Sequence, residues 1–149
     1  MTYDLAFILL HLVIAPCWFL LFFAPRAVWT ERLVHSALMP ALLGCIYMVL
    51  LCAGIFLGQA NPDAGMESLP AVIALLSHPN GALTGWVHFL IYDLFVGAWI
   101  ARDAARLGQS HRSTLPALAF ALIFGPVGLL IHLARRALTT RAGTRLSEA

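Results

Sequence analysis

Four long apolar stretches alternate with short polar ones along the chain. They occupy residues 5–24, 36–58, 81–101 and 114–134, and each contains 20 to 23 residues. A helix rises about 1.5 Å per residue, so each stretch is long enough to cross a hydrocarbon core about 30 Å thick. The pattern predicts an all-α fold, an integral membrane four-helix bundle.

The region between the second and third stretches has a different pattern. Residues 59–65, QANPDAG, are typical of a turn, and the following MESLPAVIALLSHP has an apolar part too short to span. We therefore expect a short interfacial or re-entrant segment between helices 2 and 3. Residues 1–138 are then a single transmembrane helical domain, and residues 139–149 a short basic polar tail.

The arginines give conflicting indications of orientation. With four spans, the first and third loops share a side and hold five arginines, whereas the amino terminus and the second loop hold none. The positive-inside rule then places the amino terminus outside. The carboxy-terminal region, with four more arginines, would also lie outside, which the rule disfavours. Either the early helices determine the orientation of the protein, or the fourth stretch does not fully cross the membrane. We favour the first explanation. A kink is most expected at residues 125–128, GPVG.

Composition supports a membrane protein. Hydrophobic residues make up 61% of the chain and charged residues 11%, where soluble domains carry about 25%. This excludes a disordered protein, a nucleic-acid binder and an ordinary cytosolic enzyme. The three cysteines form no CxxC pair, and no GxSxG, Walker, HExxH or dinucleotide motif occurs. We therefore predict no metal site and no cofactor, with haem as a minor alternative.

Four ionisable residues lie inside the apolar stretches: His11, His88, Asp93 and His132. Such residues are costly in a membrane and are functional candidates by default. Antiparallel threading of four spans brings the three histidines to a similar level on one side, with Asp93 nearer the middle of the membrane. The alternative is structural, with each imidazole bonded to a backbone carbonyl or placed at the interface.

The third stretch carries the most candidate chemistry. At about 100° per residue, Trp86 and Asp93 share one helical stripe, and His88, Tyr92 and Trp99 share another. A low-dielectric environment disfavours charged forms, so Asp93 is expected as a neutral acid and His88 as a neutral base. Both tryptophans are equally suited to anchoring at the membrane interface.

Three segments carry a resemblance to a known family. They are GWVHFLIYDLFVGAWIARDA in the third stretch, PCWFLLFFAP at 16–25 and FGPVGLLIHL at 124–133. Together they resemble the abscisic-acid-deficient-four-like family, small integral membrane proteins named for plant neoxanthin synthesis. On this resemblance Trp86, His88 and 93–95 (Asp-Leu-Phe) fall on the family's third-helix motif, and 125–128 on its last-helix motif, with His132 after it.

The resemblance implies a hydrophobic isoprenoid substrate. Conversion of an epoxy-carotenoid to an allenic alcohol is an isomerisation that needs a proton donor to the epoxide oxygen and a base for the adjacent vinylic proton, without a redox cofactor. No plastid transit region precedes the first stretch, so we expect a multi-pass protein of a bacterial inner (cytoplasmic) membrane.

Three functions stay open. The first is acid/base isomerisation of a carotenoid-like lipid, with Asp93 as donor, His88 as base, and a binding site lined by Trp86, Tyr92, Trp99, His11 and His132. The second is a non-catalytic binding or assembly subunit that holds a pigment, a quinone or a partner helix. The third is a haem or metal protein. The expected partners are membrane lipids and a hydrophobic small-molecule or lipid ligand, and glycines in the spans permit a homo-oligomer.

Overall fold

A computed structural model describes residues 2–139 of the chain. These residues form seven helices and no strand, which confirms the all-α prediction. The helices are α1 (Tyr3–Phe23), α2 (Val28–Leu33), α3 (Leu38–Phe56), α4 (Leu69–Ser77), α5 (Pro79–Arg106), α6 (His111–Ile123) and α7 (Gly125–Thr139). Apart from Thr139, the predicted basic tail lies outside the described residues.

Three helices are long and apolar enough to cross a membrane. They are α1 with 21 residues, α3 with 19, and α5 with 28. The short helix α2 directly precedes α3 and extends its apolar region to Val28–Phe56. The chain is therefore a membrane-type helical protein, and residues 2–139 contain three such helices rather than the four predicted.

The expected short segment between the second and third long helices is the nine-residue helix α4. Its amino terminus is capped by Ser68, whose hydroxyl accepts a hydrogen bond from the backbone N–H of Ala71 at 3.3 Å. Pro70 lies in the first turn, where its missing N–H costs nothing. Nine residues extend about 14 Å, so this helix is too short to span.

The fourth apolar stretch differs from its prediction. Helix α6 ends at Ile123 and α7 begins at Gly125, so residues 114–134 are not one continuous helix. A Cβ on Gly128 of α7 would touch the backbone of Ala117 and Ala121 on α6, and the Gln109 amide donates to the Thr139 hydroxyl at 3.1 Å. Helices α6 and α7 are therefore antiparallel, and we refer to them together as the hairpin.

The reversal in the hairpin changes the expected topology of the fourth stretch. The sequence favours a fourth span that crosses the membrane, but α6 and α7 extend only about 20 Å each and α7 returns to the end from which α6 started. Arg135 donates hydrogen bonds to the Ser113 carbonyl and the Thr114 hydroxyl, which are near the start of α6. Arg135 and Arg136 thus lie at the same end of the hairpin as Arg112, so these two arginines no longer conflict with the positive-inside rule. Arg141 and Arg145 lie outside the described residues.

The chain divides into two compact units. The first comprises residues 2–14 and 39–91, and the second residues 15–38 and 92–139, as far as the structure describes them. The first unit contains α3, α4 and the amino-terminal halves of α1 and α5. The second contains α2, the hairpin and the carboxy-terminal halves of α1 and α5.

Candidate functional site

The first unit contains an apolar pocket of about 450 Å³. Residues of α3, α4 and α5 line it, and they include Tyr47, Leu50, Leu75, Asn80, Thr84 and His88. Few polar groups interrupt the apolar wall, which is the usual composition of a site for a hydrophobic small molecule. We refer to it as the α3–α5 pocket.

Asn80 is the unusual polar residue of this pocket. It is 2% exposed, and its amide nitrogen donates to the Leu50 carbonyl at 2.9 Å, which ties α5 to α3. This approach needs a small residue at position 54, because a Cβ on Gly54 would come within 3.2 Å of the amide nitrogen. The side-chain oxygen of Asn80 is buried and accepts no hydrogen bond from the described residues. Buried polar atoms are normally satisfied, so this oxygen is available to a donor on a ligand or a water.

His88, the predicted base, lines the same pocket and is exposed. Its ring lies 6.1 Å from that of Tyr47 on α3. An exposed imidazole at a pocket can exchange a proton with a bound molecule, so this position is compatible with the predicted role.

Two further predicted residues meet elsewhere in the first unit. The rings of His11 and Trp86 lie 5.8 Å apart, and Phe7 stacks against both. One nitrogen of His11 is already hydrogen-bonded to the Phe7 carbonyl at 2.8 Å. Neither His11 nor Trp86 is among the residues that line the α3–α5 pocket. They form a separate aromatic cluster between α1 and α5.

Asp93, the predicted acid, lies at the midpoint of α5 in the second unit and is half-buried. It accepts a hydrogen bond from the backbone N–H of Gly125, the first residue of α7. A side chain at position 125 would overlap the Asp93 carboxylate, so the glycine allows this contact. The tip of the hairpin therefore meets α5 at half its length.

This contact completes the hydrogen bonding of the hairpin tip. The N–H groups of Val127 and Gly128 both donate to the Phe124 carbonyl, at 2.9 and 3.1 Å, and Pro126 has no N–H. With Gly125 bonded to Asp93, the first four residues of α7 leave no orphan donor. Backbone groups at membrane depth must be satisfied within the protein, so Asp93 has a structural role whether or not it also has a chemical one.

His132 belongs to the second unit, whereas His11 and His88 belong to the first. The return of α7 brings His132 to Asp103, near the end of α5, with its Nε2 atom 2.8 Å from the carboxylate. His132 is fully buried, its ring lies edge-on to that of Trp99 at a centroid distance of 5.3 Å, and one of its ring nitrogens is hydrogen-bonded to Asp103.

Tyr92, another residue predicted to line the binding site, is 57% exposed and does not line the α3–α5 pocket.

Asp103 is the centre of a buried ionic cluster that sequence reasoning missed. Its carboxylate accepts from Arg106 at 2.5 Å, from Arg136 at 2.8 Å and from His132, and both Asp103 and Arg136 are 1% exposed. The apolar pattern ends the third span at Ala101, which leaves Asp103 in a solvated loop. The spacing of His132 and Arg136, four positions apart on one helical face, is the sequence feature that could have indicated the cluster.

Metal-ligating residues do not converge in the described chain. Among residues 2–139, no three His, Cys, Asp or Glu side chains lie close enough to hold one metal ion. The polar groups of the α3–α5 pocket include the Asn80 amide, the Thr84 hydroxyl and the His88 imidazole.

Comparisons with known proteins identify the family of this chain. The model of the ABA DEFICIENT 4-like family matches residues 5–132. Protein ABA DEFICIENT 4, chloroplastic, from Arabidopsis thaliana is 22% identical over 129 residues, which cover 84% of this chain and 57% of that protein. The chain thus spans little more than half the length of this relative. No solved structure matches it. Because the family model covers most of the chain, this protein belongs to the ABA DEFICIENT 4-like family.

Proposed function

We propose that this protein binds a carotenoid-type isoprenoid lipid in the α3–α5 pocket. The observation that carries the proposal is the combination of an apolar wall with one buried, unsatisfied acceptor, the side-chain oxygen of Asn80. The association of the family with carotenoids supplies the class of ligand.

The size of the pocket limits which part of the ligand it holds. A cavity of about 450 Å³ accommodates a compact end group, while a long polyene chain extends beyond it along the exposed apolar helices. Exposed large hydrophobic residues such as Phe89, Ile55 and Phe56 provide an apolar surface in the first unit. The acceptor of Asn80 then fixes the orientation of the end group.

A steric block tests this site. Ile55 lines the pocket and is 64% exposed, so Ile55→Trp narrows the pocket without disturbing a buried core. The matched control is Ile123→Trp, the same change at 66% exposure in α6. Purified protein in lipid nanodiscs is incubated with a carotenoid, and retained pigment is measured by absorption. Ile55→Trp should lose most of the pigment and Ile123→Trp should retain it; equal retention in both variants would place the ligand elsewhere.

Acid/base isomerisation is the second candidate function. It is favoured by the exposed imidazole of His88 at the same pocket. In an epoxide-to-allene isomerisation, the base removes the vinylic proton as the epoxide C–O bond breaks, and the oxygen takes a proton from the acid. His88→Gln should then keep ligand binding and lose product formation, measured by chromatography of the extracted carotenoid. Turnover at the unaltered rate in His88→Gln would leave binding as the function.

The acid role of Asp93 is tested by Asp93→Asn. Asparagine keeps a side-chain oxygen for the Gly125 N–H but has no acidic proton, so the cap survives while a proton donor is lost. The isomerase hypothesis expects a folded variant without product formation. A folded variant with full turnover would restrict Asp93 to its structural role.

A further inference from the structure

The second unit contains a polar pocket of about 560 Å³ that the proposed function does not use. It is lined by the connection after α1, by α2, by the last turns of α5 and by the start of α6. Its polar residues include Arg26, Glu31, His35, Arg102, Ser110 and His111. We refer to it as the arginine pocket.

The arginine pocket lies where membrane-crossing helices end. Helix α1 ends at Phe23, two residues before Pro25 of the lining, and the last turns of α5, which ends at Arg106, line the pocket directly. Trp29 on the adjacent helix α2 is 62% exposed, and the Arg32 guanidinium lies over its ring at 5.9 Å. Exposed tryptophans next to arginines are typical of the level of lipid headgroups.

Two hydrogen bonds fix which ring nitrogen of each pocket histidine carries the proton. A guanidinium can only donate, so the contact of Arg102 with Nδ1 of His35 at 3.3 Å makes that nitrogen an acceptor. The proton of His35 is then on Nε2. His111 is held by donation from its Nε2 to the Phe22 carbonyl at 2.9 Å.

The charges favour an anion. The lining contains two guanidinium groups, those of Arg26 and Arg102, and one carboxylate, that of Glu31. Its net charge is therefore positive even when both histidines are neutral. Helix α6 begins at His111, and a helix amino terminus adds partial positive charge to the same wall. Basic pockets between membrane helices on the arginine-rich side are suited to phosphorylated headgroups.

We infer that the arginine pocket binds a phosphate group, carried by an anionic membrane lipid or by a soluble phosphate compound. Arg26 and Arg102 neutralise the phosphate, and His35 donates from Nε2. Glu31 weakens the site and limits its affinity. This inference concerns the second unit and does not depend on carotenoid binding in the first.

Arg26→Gln is the informative variant, because Arg26 is exposed and its loss leaves the core intact. Arg32→Gln is the matched control, since it removes the same charge from the neighbouring helix outside the pocket. One arginine near a lipid surface contributes roughly fivefold in affinity, so Arg26→Gln should weaken binding by about that factor. Glu31→Gln should strengthen it.

Native mass spectrometry of the full chain in detergent measures the effect. Phosphatidylglycerol and phosphatidylcholine are titrated separately, and inorganic phosphate is titrated in a third series. Retention of phosphatidylglycerol that depends on Arg26 but not on Arg32 supports the site and identifies a lipid ligand. Binding of inorganic phosphate alone, with the same dependence, supports the site with a soluble ligand. Equal weakening by the two arginine variants, or weaker binding in Glu31→Gln, overturns the inference.

Discussion

The two units of this protein are stabilised in different ways. The first is joined by neutral contacts, such as the bond from Asn80 to the Leu50 carbonyl and that from Tyr3 to Gln59 at 2.8 Å, and it keeps an apolar pocket. The second is joined by a buried ionic cluster around Asp103 and by the close packing of the hairpin. Under the proposed function, the second unit is the scaffold and the first unit holds the hydrophobic ligand.

The largest difference that an experiment can show concerns the hairpin of the second unit, because its reversal decides on which side of the membrane α7 ends. If α6 and α7 both belong to a re-entrant hairpin, single cysteines at Arg112→Cys and Leu138→Cys should react with a membrane-impermeant thiol reagent from the same side. The measurement uses oriented vesicles and a background without the three native cysteines. A single crossing helix would place the two positions on opposite sides, so labelling from opposite sides would eliminate the hairpin.

The ionic cluster is expected to have the next largest effect. Asp103→Asn leaves Arg136 and His132 buried without their carboxylate, which should lower the free energy of unfolding by about 3–5 kcal/mol. The readout is equilibrium unfolding in mixed micelles. Asp63→Asn, in an exposed connection of the first unit, should have almost no effect.

A double variant separates pairing from packing in the same cluster. Replacing both Asp103 and Arg136 by leucine removes the buried ion pair and leaves His132 and the partly exposed Arg106, and well-packed apolar replacements of buried ion pairs are often neutral. We expect part of the lost stability to return. A double variant less stable than Asp103→Asn would show that the cluster contributes more than charge compensation.

Much of the fold followed from the length and hydropathy of each segment. Three of the four apolar stretches are long helices, and α4 occupies the expected place between the second and third. The fourth stretch satisfied the same length criterion, yet it reverses at Phe124 because Gly125 and Pro126 begin a new helix capped by Asp93. A hydropathy pattern shows how long and how apolar a stretch is, but it does not show whether the chain reverses within it. The arginines after the fourth stretch, which conflict with a fourth crossing, were the sequence feature that indicated the reversal.

The candidate site was less predictable. His88 and Asp93 were predicted as site residues because ionisable residues are rare in membrane helices, and of the two only His88 lines the α3–α5 pocket. Asn80 was not, since a neutral amide at the end of a turn has no distinctive pattern, and its importance comes from the Leu50 carbonyl, 30 positions away in the chain. Asp103 was assigned to a loop for a similar reason: its partners on α7 are reached only through the reversal of the hairpin.

The smallest expected effects come from two glycines that contrast the units directly. Gly128 in the hairpin touches the α6 backbone, so Gly128→Ala forces the helices apart and should cost about 1–3 kcal/mol of stability. Gly44 lies inside α3 with no atom within 4 Å of the position that a methyl group would take, so Gly44→Ala should be neutral or should stabilise by up to about 1 kcal/mol through helix propensity. Both are measured by the same unfolding assay. Equal costs at the two positions would mean that the first unit is as tightly packed as the second, and the proposed division between scaffold and ligand unit would be lost.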